Sequence, residues 1–207
     1  MIGIVDYGVG NLFSVARSLE YLAIERVITS DWHILEQCDQ IILPGVGAFS
    51  DAMSQLKATK LIEPIQQLAN QGKPLLGICL GMQLLFEESE EFGSHQGLGL
   101  IGGRVVSLKN AFNEQNIQLK VPHIGWNALK FQQTSPLISK ITENDQVYYV
   151  HSFYATDCAH QIVATSEYGI NVPGIVQQNN VFGAQFHPEK SGQVGLNILK
   201  AFSEVKG

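Results

Sequence analysis

The sequence is poor in charge, in cysteine and in long apolar runs. Only 15% of its 207 residues are charged, against about 25% in an average soluble protein. No apolar run approaches the roughly 20 residues that cross a bilayer, and the opening MIGIVD has the pattern of a strand, not of a secretion signal. Three widely spaced cysteines do not make a disulfide framework. These absences predict a single domain over residues 1–207 in the reducing cytoplasm.

Clustered positive charge and metal-ligand spacing are also missing. The net charge is −6, and no group of Lys and Arg forms a basic surface for nucleic acid. No Cys/His pair has the spacing of a metal site, and the turn at Gly8 and Gly10 is too little to indicate a dinucleotide site. We therefore expect no metal and no cofactor.

Strand and helix patterns alternate in the first half of the chain. Strands are predicted at 2–6, 26–29, 40–43 and 75–78, and helices from Asn11, at 49–57, at 63–70 and at 80–89. Such alternation implies βαβ units and a mostly parallel central sheet flanked by helices. The fold class is therefore α/β.

Beyond Gly93 the pattern changes to short β-type runs separated by turns. They lie at 104–108, 127–131, 147–153, 162–166, 174–178 and 181–185, and a last helix is predicted at 192–205. These runs predict antiparallel strands added to the sheet in the C-terminal half.

The segment Gly77-Ile78-Cys79-Leu80-Gly81 joins a buried strand to a helix. Flanking glycines let backbone and substrate approach closely, which is what a nucleophile on a tight turn requires. The Leu80 amide can stabilise a developing oxyanion. The turn Pro44-Gly45-Val46-Gly47, which ends the strand at 40–43, can supply a second donor.

Further along the chain, Phe186-His187-Pro188-Glu189 places an imidazole and a carboxylate two residues apart. Residues two apart on an extended segment point the same way, so Glu189 can orient His187 as the third member of a triad. Cys79, His187 and Glu189 together predict covalent catalysis by a thiol. Cys38 and Cys158 have no flanking glycines and are interpreted as small buried side chains.

Four segments in this order, PGVGAF (44–49), GICLGMQ (77–83), HSFYA (151–155) and FHPEKS (186–191), resemble the class I, triad-type glutamine amidotransferases. The resemblance covers nearly the whole chain. Within that family, HQGLGLIGG (95–103), PHIGWN (122–127) and HPEKS are similar to the glutaminase subunits of imidazole glycerol phosphate synthases.

The resemblance implies that Cys79 attacks the side-chain amide of glutamine, forms a thioester and releases ammonia. His187 and Glu189 would be the acid/base pair, and amides at Leu80 and at the Gly45–Val46 turn the oxyanion donors. Gln83 and the backbone of His151, Ser152 and Phe153 match the positions that hold the α-amino and α-carboxylate groups of glutamine.

The same resemblance implies a heterodimer with a (β/α)8-barrel cyclase that receives ammonia through an internal channel. The candidate interface residues are Asn11, Trp126, Tyr148 and Lys190. Tryptophan is among the types enriched at interface hot spots. A flip of the Gly45–Val46 amide would allow the partner to control catalysis.

Three alternatives stay open at the level of sequence. The first is the glutaminase of another synthase, for anthranilate, guanylate or pyridoxal phosphate. The second is a hydrolase of γ-glutamyl peptides that works without a partner, and the third is a non-catalytic subunit on a similar fold. The motif around Trp126 and the response to a partner distinguish them.

Overall fold

The computed structural model describes residues 1–207 as fourteen strands and seven α-helices. The strands are β1 (Ile2–Val5), β2 (Arg26–Thr29), β3 (Gln40–Gly45), β4 (Leu75–Cys79), β5 (Phe86–Ser89), β6 (His95–Gln96), β7 (Ile101–Ser107), β8 (His123–Ala128), β9 (Lys130–Phe131), β10 (Gln146–His151), β11 (Phe153–Thr156), β12 (Ile162–Tyr168), β13 (Ile170–Gln178) and β14 (Val181–Ala184). The helices are α1 (Leu12–Tyr21), α2 (Trp32–Gln37), α3 (Phe49–Ala58), α4 (Ile62–Asn70), α5 (Leu80–Leu84), α6 (Leu108–Glu114) and α7 (Gly192–Ser203).

An eight-stranded sheet forms the centre of the molecule, in the order β2-β1-β3-β4-β14-β13-β12-β9. The first five of these strands are mutually parallel, and the last three are added antiparallel. This is the α/β architecture predicted from the sequence, with its antiparallel strands in the C-terminal half.

The parallel strands β1, β3, β4 and β14 are almost entirely apolar, as expected where both faces of a sheet are covered by other elements. Neighbouring residues of one strand enter different cores: Ile41 and Leu43 pack on one face, whereas Ile42 packs on the other. Clusters of 26 and 22 buried residues result, one on each face. The rigid sheet fixes the positions of the loops that follow its strands.

Two smaller sheets pack against these two cores: Val147 and Tyr149 of one sheet belong to the cluster of 22 residues, and Phe86, Ile101 and Ala155 of the other to the cluster of 26. Strands β8 and β10 form an antiparallel ribbon, and the other sheet has the order β11-β7-β5-β6. Strand β10 in the ribbon and β11 in the four-stranded sheet are separated only by Ser152.

The predicted helix over 80–89 is wrong beyond residue 84. The carbonyl of Leu84 accepts from the Leu98 amide, and that of Leu85 accepts from the amides of Leu100 and Ile101. These bonds replace the helical ones, and the chain continues as β5 beside β7. Tertiary pairing here overrides a helix-type pattern.

Other boundaries differ because two predicted strands are broken. The run 147–153 is divided at Ser152 between two sheets, and the run 127–131 is divided at the buried Leu129. Helices α2 and α6 were not predicted, although Asp31 and Ser107 cap them by accepting from the amides of His33 and Asn110. Leu108 therefore starts a helix and does not end a strand.

None of the helices is both long enough and apolar enough to span a bilayer.

Candidate active site

Three adjacent parallel strands deliver the predicted catalytic residues to one edge of the sheet. Strand β4 ends at Cys79, and the register places Gly45 of β3 beside it on one side. On the other side Ala184 of β14 pairs with Ile78, so the chain that continues from β14 to His187 passes next to Cys79. Because the carboxyl ends of parallel strands meet at one edge of the sheet, residues far apart in sequence lie together there. Ligand sites of α/β proteins form at this edge.

Cys79 has the backbone conformation of a nucleophile elbow. Its φ of 55° and ψ of −113° lie in a region that side chains with a Cβ seldom occupy, and such strain is typical of functional sites. A Cβ on Gly81 would lie 1.8 Å from the Leu43 carbonyl oxygen, and one on Gly77 would lie 2.5 Å from the Gly81 carbonyl oxygen. The turn at Cys79 can therefore form only because residues 77 and 81 are both glycine.

His187 and Glu189 form a buried pair whose side chains are 3% and 1% exposed. The Nδ1 of His187 lies 2.8 Å from Oε1 of Glu189, which leaves Nε2 as the nitrogen available to Cys79. Burial acts against the charged imidazole, but hydrogen bonding to Cys79 and to Glu189 outweighs it and raises the pKa of His187 to about 9. His187 therefore carries a proton at neutral pH, and an imidazolium beside a sulfur stabilises its thiolate.

Cys79 lies at the bottom of a cleft of about 400 Å³. The residues that line the cleft are Val46, Gly47, Cys79, Leu80, Gln83, Glu91, Pro122, Val150, His151, Ser152, Phe153, His187 and Lys190. Larger depressions of about 860 and 820 Å³ lie elsewhere and contain none of the predicted catalytic residues. The chemistry is thus concentrated in the smaller cleft, whose volume suits an amino acid.

Among the predicted oxyanion residues, Leu80 and Val46 line the cleft, and Val46 is 42% exposed. Gly45 is buried behind them, where an added Cβ would lie 2.7 Å from the Gly81 nitrogen. Helix α5 after Cys79 has five residues, so the helix that follows the nucleophile is half the predicted length.

The predicted glutamine contacts also meet in the cleft. Gln83 uses both of its N–H donors within the chain, at 3.0 Å to the Phe153 carbonyl and 3.0 Å to Oε1 of Gln185. Its Oε1 is the atom left for a ligand, and an oxygen acceptor suits an ammonium group. Ser152 connects His151 and Phe153 at the break between two sheets, and all three line the cleft.

Two further polar residues of the site were not recognised in the sequence. Glu91 lines the cleft, is 9% exposed, and accepts at Oε2 from the Phe49 amide at 2.7 Å. Burial raises its pKa, although the bond from Phe49 opposes this. Gln185 is fully buried, with Nε2 4.0 Å from the Cys79 sulfur. The only signal for Gln185 was its place directly before Phe186-His187, and Glu91 had no signal because it lies in a run of acidic residues.

The candidate interface residues are related in different ways to the turn that carries His187 and Glu189. Lys190 is exposed on this turn, and helix α1, which follows Asn11, packs against it. Tyr148 accepts at its carbonyl from the His187 amide and donates its own amide to Oγ of Ser191, at 3.0 Å each. Trp126 is 52% exposed and contacts Tyr148 edge to face at 5.9 Å between ring centres.

This geometry agrees with a match to a family model. Residues 3–204 match the model described as glutamine amidotransferase class-I. The chain belongs to that family. The cleft, the elbow and the His–Glu pair are therefore features of a glutamine amidotransferase domain, and the enzyme class predicted from the sequence is confirmed.

Relatives within the family have high identity over nearly their full length. The chain is 53% identical over 206 residues to the imidazole glycerol phosphate synthase subunit HisH of Bacillus velezensis, covering 99% of this chain and 96% of the relative. The subunit of the same name from Bacillus subtilis is 50% identical with the same coverage. That of Syntrophotalea carbinolica is 48% identical, with 99% of this chain and 100% of the relative covered.

Solved structures share the fold of this family at low identity. PurLQS from Thermotoga maritima is similar with a TM-score of 0.74 and 20% identity, covering 97% of this chain and 96% of that one. The glutaminase domain of the Trypanosoma brucei CTPS, solved with acivicin, gives a TM-score of 0.67 and 18% identity, with 100% and 94% coverage.

Proposed function

We propose that this chain is the glutaminase subunit of imidazole glycerol phosphate synthase and acts in histidine biosynthesis in the cytoplasm. The observation that carries the proposal is the cleft lined by Cys79 and His187, with Glu189 bonded to Nδ1 of His187. The identity of about half to synthase subunits over 99% of the chain supports this synthase over the others.

In the proposed mechanism the Cys79 thiolate attacks the side-chain amide carbon of glutamine. The Leu80 amide and the Gly45–Val46 turn stabilise the oxyanion. Nε2–H of His187 then protonates the nitrogen, the carbon–nitrogen bond breaks, and ammonia leaves a γ-glutamyl thioester on Cys79. His187 next takes a proton from water, whose oxygen attacks the thioester carbon. The carbon–sulfur bond then breaks, glutamate leaves, and Cys79 is again a thiolate beside the protonated His187.

Charge complementarity in the cleft suggests how the α-groups of glutamine bind. The Glu91 carboxylate and Oε1 of Gln83 are acceptors for the α-ammonium group, while backbone amides of the 151–153 segment are donors for the α-carboxylate. Lys190 at the rim is exposed and remains available to a partner.

The proposed partner is a (β/α)8-barrel cyclase that forms a heterodimer with this chain. Asn11, Trp126, Tyr148 and Lys190 would contact it. The need for a partner follows from the product, because ammonia that reaches water is protonated and stops being a nucleophile. A cyclase docked over the cleft would receive the ammonia directly.

The test is the release of glutamate from glutamine by the purified chain, alone and with the cyclase and its nucleotide ligand. We expect little release by the chain alone and strong stimulation by the liganded cyclase. Cys79→Ala should lower the stimulated rate by about 10⁴-fold or more, because the covalent step is lost. The matched control is Cys158→Ala, which removes a buried thiol outside the cleft.

Full activity without the cyclase would contradict the proposed partner and favour a hydrolase that works alone. Activity retained in Cys79→Ala would contradict the mechanism itself.

A further inference from the structure

His123 is a buried histidine that the proposed mechanism does not use. It is the first residue of β8, is 0% exposed, and lies between the rings of Tyr149 and Tyr168 at 4.7 and 3.9 Å between centres. Its neighbours on β8, Ile124 and Trp126, are 56% and 52% exposed on the opposite face of the strand. His123 thus lies behind the face of β8 that carries Trp126, one of the candidate interface residues.

A chain of hydrogen-bonding contacts runs from β8 through His123 to the glutamine cleft. Nε2 of His123 lies 2.8 Å from Oδ1 of Asn127, and its Nδ1 lies 2.9 Å from Nε2 of His151. Nδ1 of His151 in turn lies 2.8 Å from the Phe153 carbonyl. That carbonyl also accepts from Gln83, so the chain of contacts ends on two cleft residues.

The outer members of this chain have fixed roles. The Phe153 carbonyl can only accept, so His151 carries its proton on Nδ1 and offers Nε2 as an acceptor. Asn127 donates Nδ2 to the Glu167 carbonyl at 2.9 Å, which leaves its Oδ1 facing His123 as an acceptor. His123 therefore has an acceptor on each side.

A neutral His123 has one proton for these two acceptors. Burial lowers its pKa, against a smaller opposing effect of Asn127. Burial likewise lowers the pKa of His151 to about 3, opposed by the Phe153 bond and reinforced by the nearby His123 and His187. Both rings are thus neutral at pH 7. With its proton on Nδ1, His123 donates inward to His151; with its proton on Nε2, it donates outward to Asn127.

We propose that His123 is a positioning residue that switches between these two tautomers and so couples strand β8 to glutamine binding. The inward tautomer anchors His151 and, through it, the Phe153 carbonyl and the 151–153 segment. In the outward tautomer His123 makes no hydrogen bond to His151. The position of Asn127 on β8 therefore sets the affinity of the cleft for glutamine. The proposal rests on the proposed function only in taking glutamine as the ligand.

Two substitutions should change glutamine affinity in opposite directions. Asn127→Leu removes the outer acceptor at similar volume and selects the inward tautomer, so we expect the KM for glutamine to fall about threefold. His123→Phe keeps a ring between the tyrosines but makes neither bond, so we expect KM to rise about fivefold. The kcat should change less than twofold in both variants, because the bonds act on binding.

The decisive comparison is the double variant, which should behave as His123→Phe alone because Asn127 acts only through His123. Tyr168→Phe, which keeps the stacked ring, is the packing control. Thermal melting of each variant identifies a folding defect. Additive effects of the two substitutions, or a KM that rises in Asn127→Leu, would overturn the proposal.

Nitrogen NMR of His123 gives a readout that does not require turnover. In a Cys79→Ala background, saturating glutamine should move the His123 proton toward Nδ1, and Asn127→Leu should do so without glutamine. An unchanged tautomer when glutamine binds overturns the proposal. If the Cys79→Ala chain binds no glutamine at all, the proposed function fails, while the effect of Asn127→Leu on the tautomer still tests the switch.

Discussion

The two walls of the cleft are built by different means. The elbow wall, formed by Cys79 and Leu80 with Gly45, Gly77 and Gly81 packed behind them, is backbone packed on backbone, with no room for a Cβ at Gly77 or Gly81. The polar wall, formed by Gln83, Glu91 and the 151–153 segment with His123 behind His151, depends on hydrogen bonds between buried polar groups.

This difference determines how each wall responds to change. Steric overlap of backbone atoms cannot be relieved by a small rotation, so the elbow wall is either intact or lost. A hydrogen bond contributes about 1 kcal/mol net, so the polar wall can be adjusted in small steps. The proposed nucleophile is thus on the rigid wall, and the proposed glutamine contacts are on the adjustable one.

The largest effect is expected where the elbow wall is broken. Gly81→Ala would place a Cβ 1.8 Å from the Leu43 carbonyl oxygen, so the unfolding free energy should fall by roughly 3 kcal/mol. Glutaminase activity should be lost at temperatures where the variant is still folded. Urea denaturation and a glutamate assay measure the two effects.

Gly102→Ala is the matched control, because the nearest atom to its Cβ would be 3.8 Å away. Equal stability of the Gly81 and Gly102 variants would refute the steric account of the elbow wall.

An intermediate effect is expected at the His187–Glu189 pair, which belongs to neither wall. Because the pKa of His187 is raised to about 9, the proton that leaves with ammonia is present below this pH and lost above it. The kcat/KM for glutamine should therefore fall as pH rises through about 9. Glu189→Gln removes the charge that favours the cation, so the fall should begin at a pH about one to three units lower.

The pH profile of glutamate release from pH 6 to 10 measures this shift. Glu204→Gln serves as the control, since it removes a half-exposed carboxylate paired with Lys140 far from the triad. A Glu189→Gln profile that coincides with the wild-type profile would contradict the assigned role of Glu189.

The smallest effect is expected on the polar wall. Glu91→Gln keeps an oxygen that can accept from the Phe49 amide but removes the negative charge offered to the α-ammonium group. The KM for glutamine should rise about tenfold, the value of one charged hydrogen bond, with kcat nearly unchanged. Glu90→Gln, at an exposed residue paired with Arg104, should leave KM unaltered; equal KM values in the two variants would exclude Glu91 from substrate binding.

The same contrast explains what the sequence could predict. The elbow wall is a local feature: GICLG alone indicated the strand, the turn and the nucleophile. The parallel sheet followed from the alternation of strand and helix patterns, because each strand there is buried on both faces. The approach of His187 to Cys79 could be predicted from the order of the segments and from the resemblance to a known family.

The polar wall could not be predicted because its contacts are made between distant segments. Glu91 stands in a run of acidic residues, and its burial depends on the Phe49 amide 42 residues earlier. The division of the predicted strand 147–153 at Ser152 depends on pairing with two different strands, β8 and β7. Helix α5 ends early because amides of residues 98–101 bind the carbonyls of residues 84–86, which no local pattern reveals.

The order of strands in the central sheet has a consequence for folding. Strand β4 is covered on one side by β3 but on the other by β14, which is synthesised about a hundred residues later. Until β14 arrives, β4 is an unpaired apolar edge of the kind that recruits other chains. Addition of this last strand therefore closes the vulnerable edge and brings His187 to Cys79 in one event, so a nascent chain that lacks β14 is both inactive and prone to aggregate.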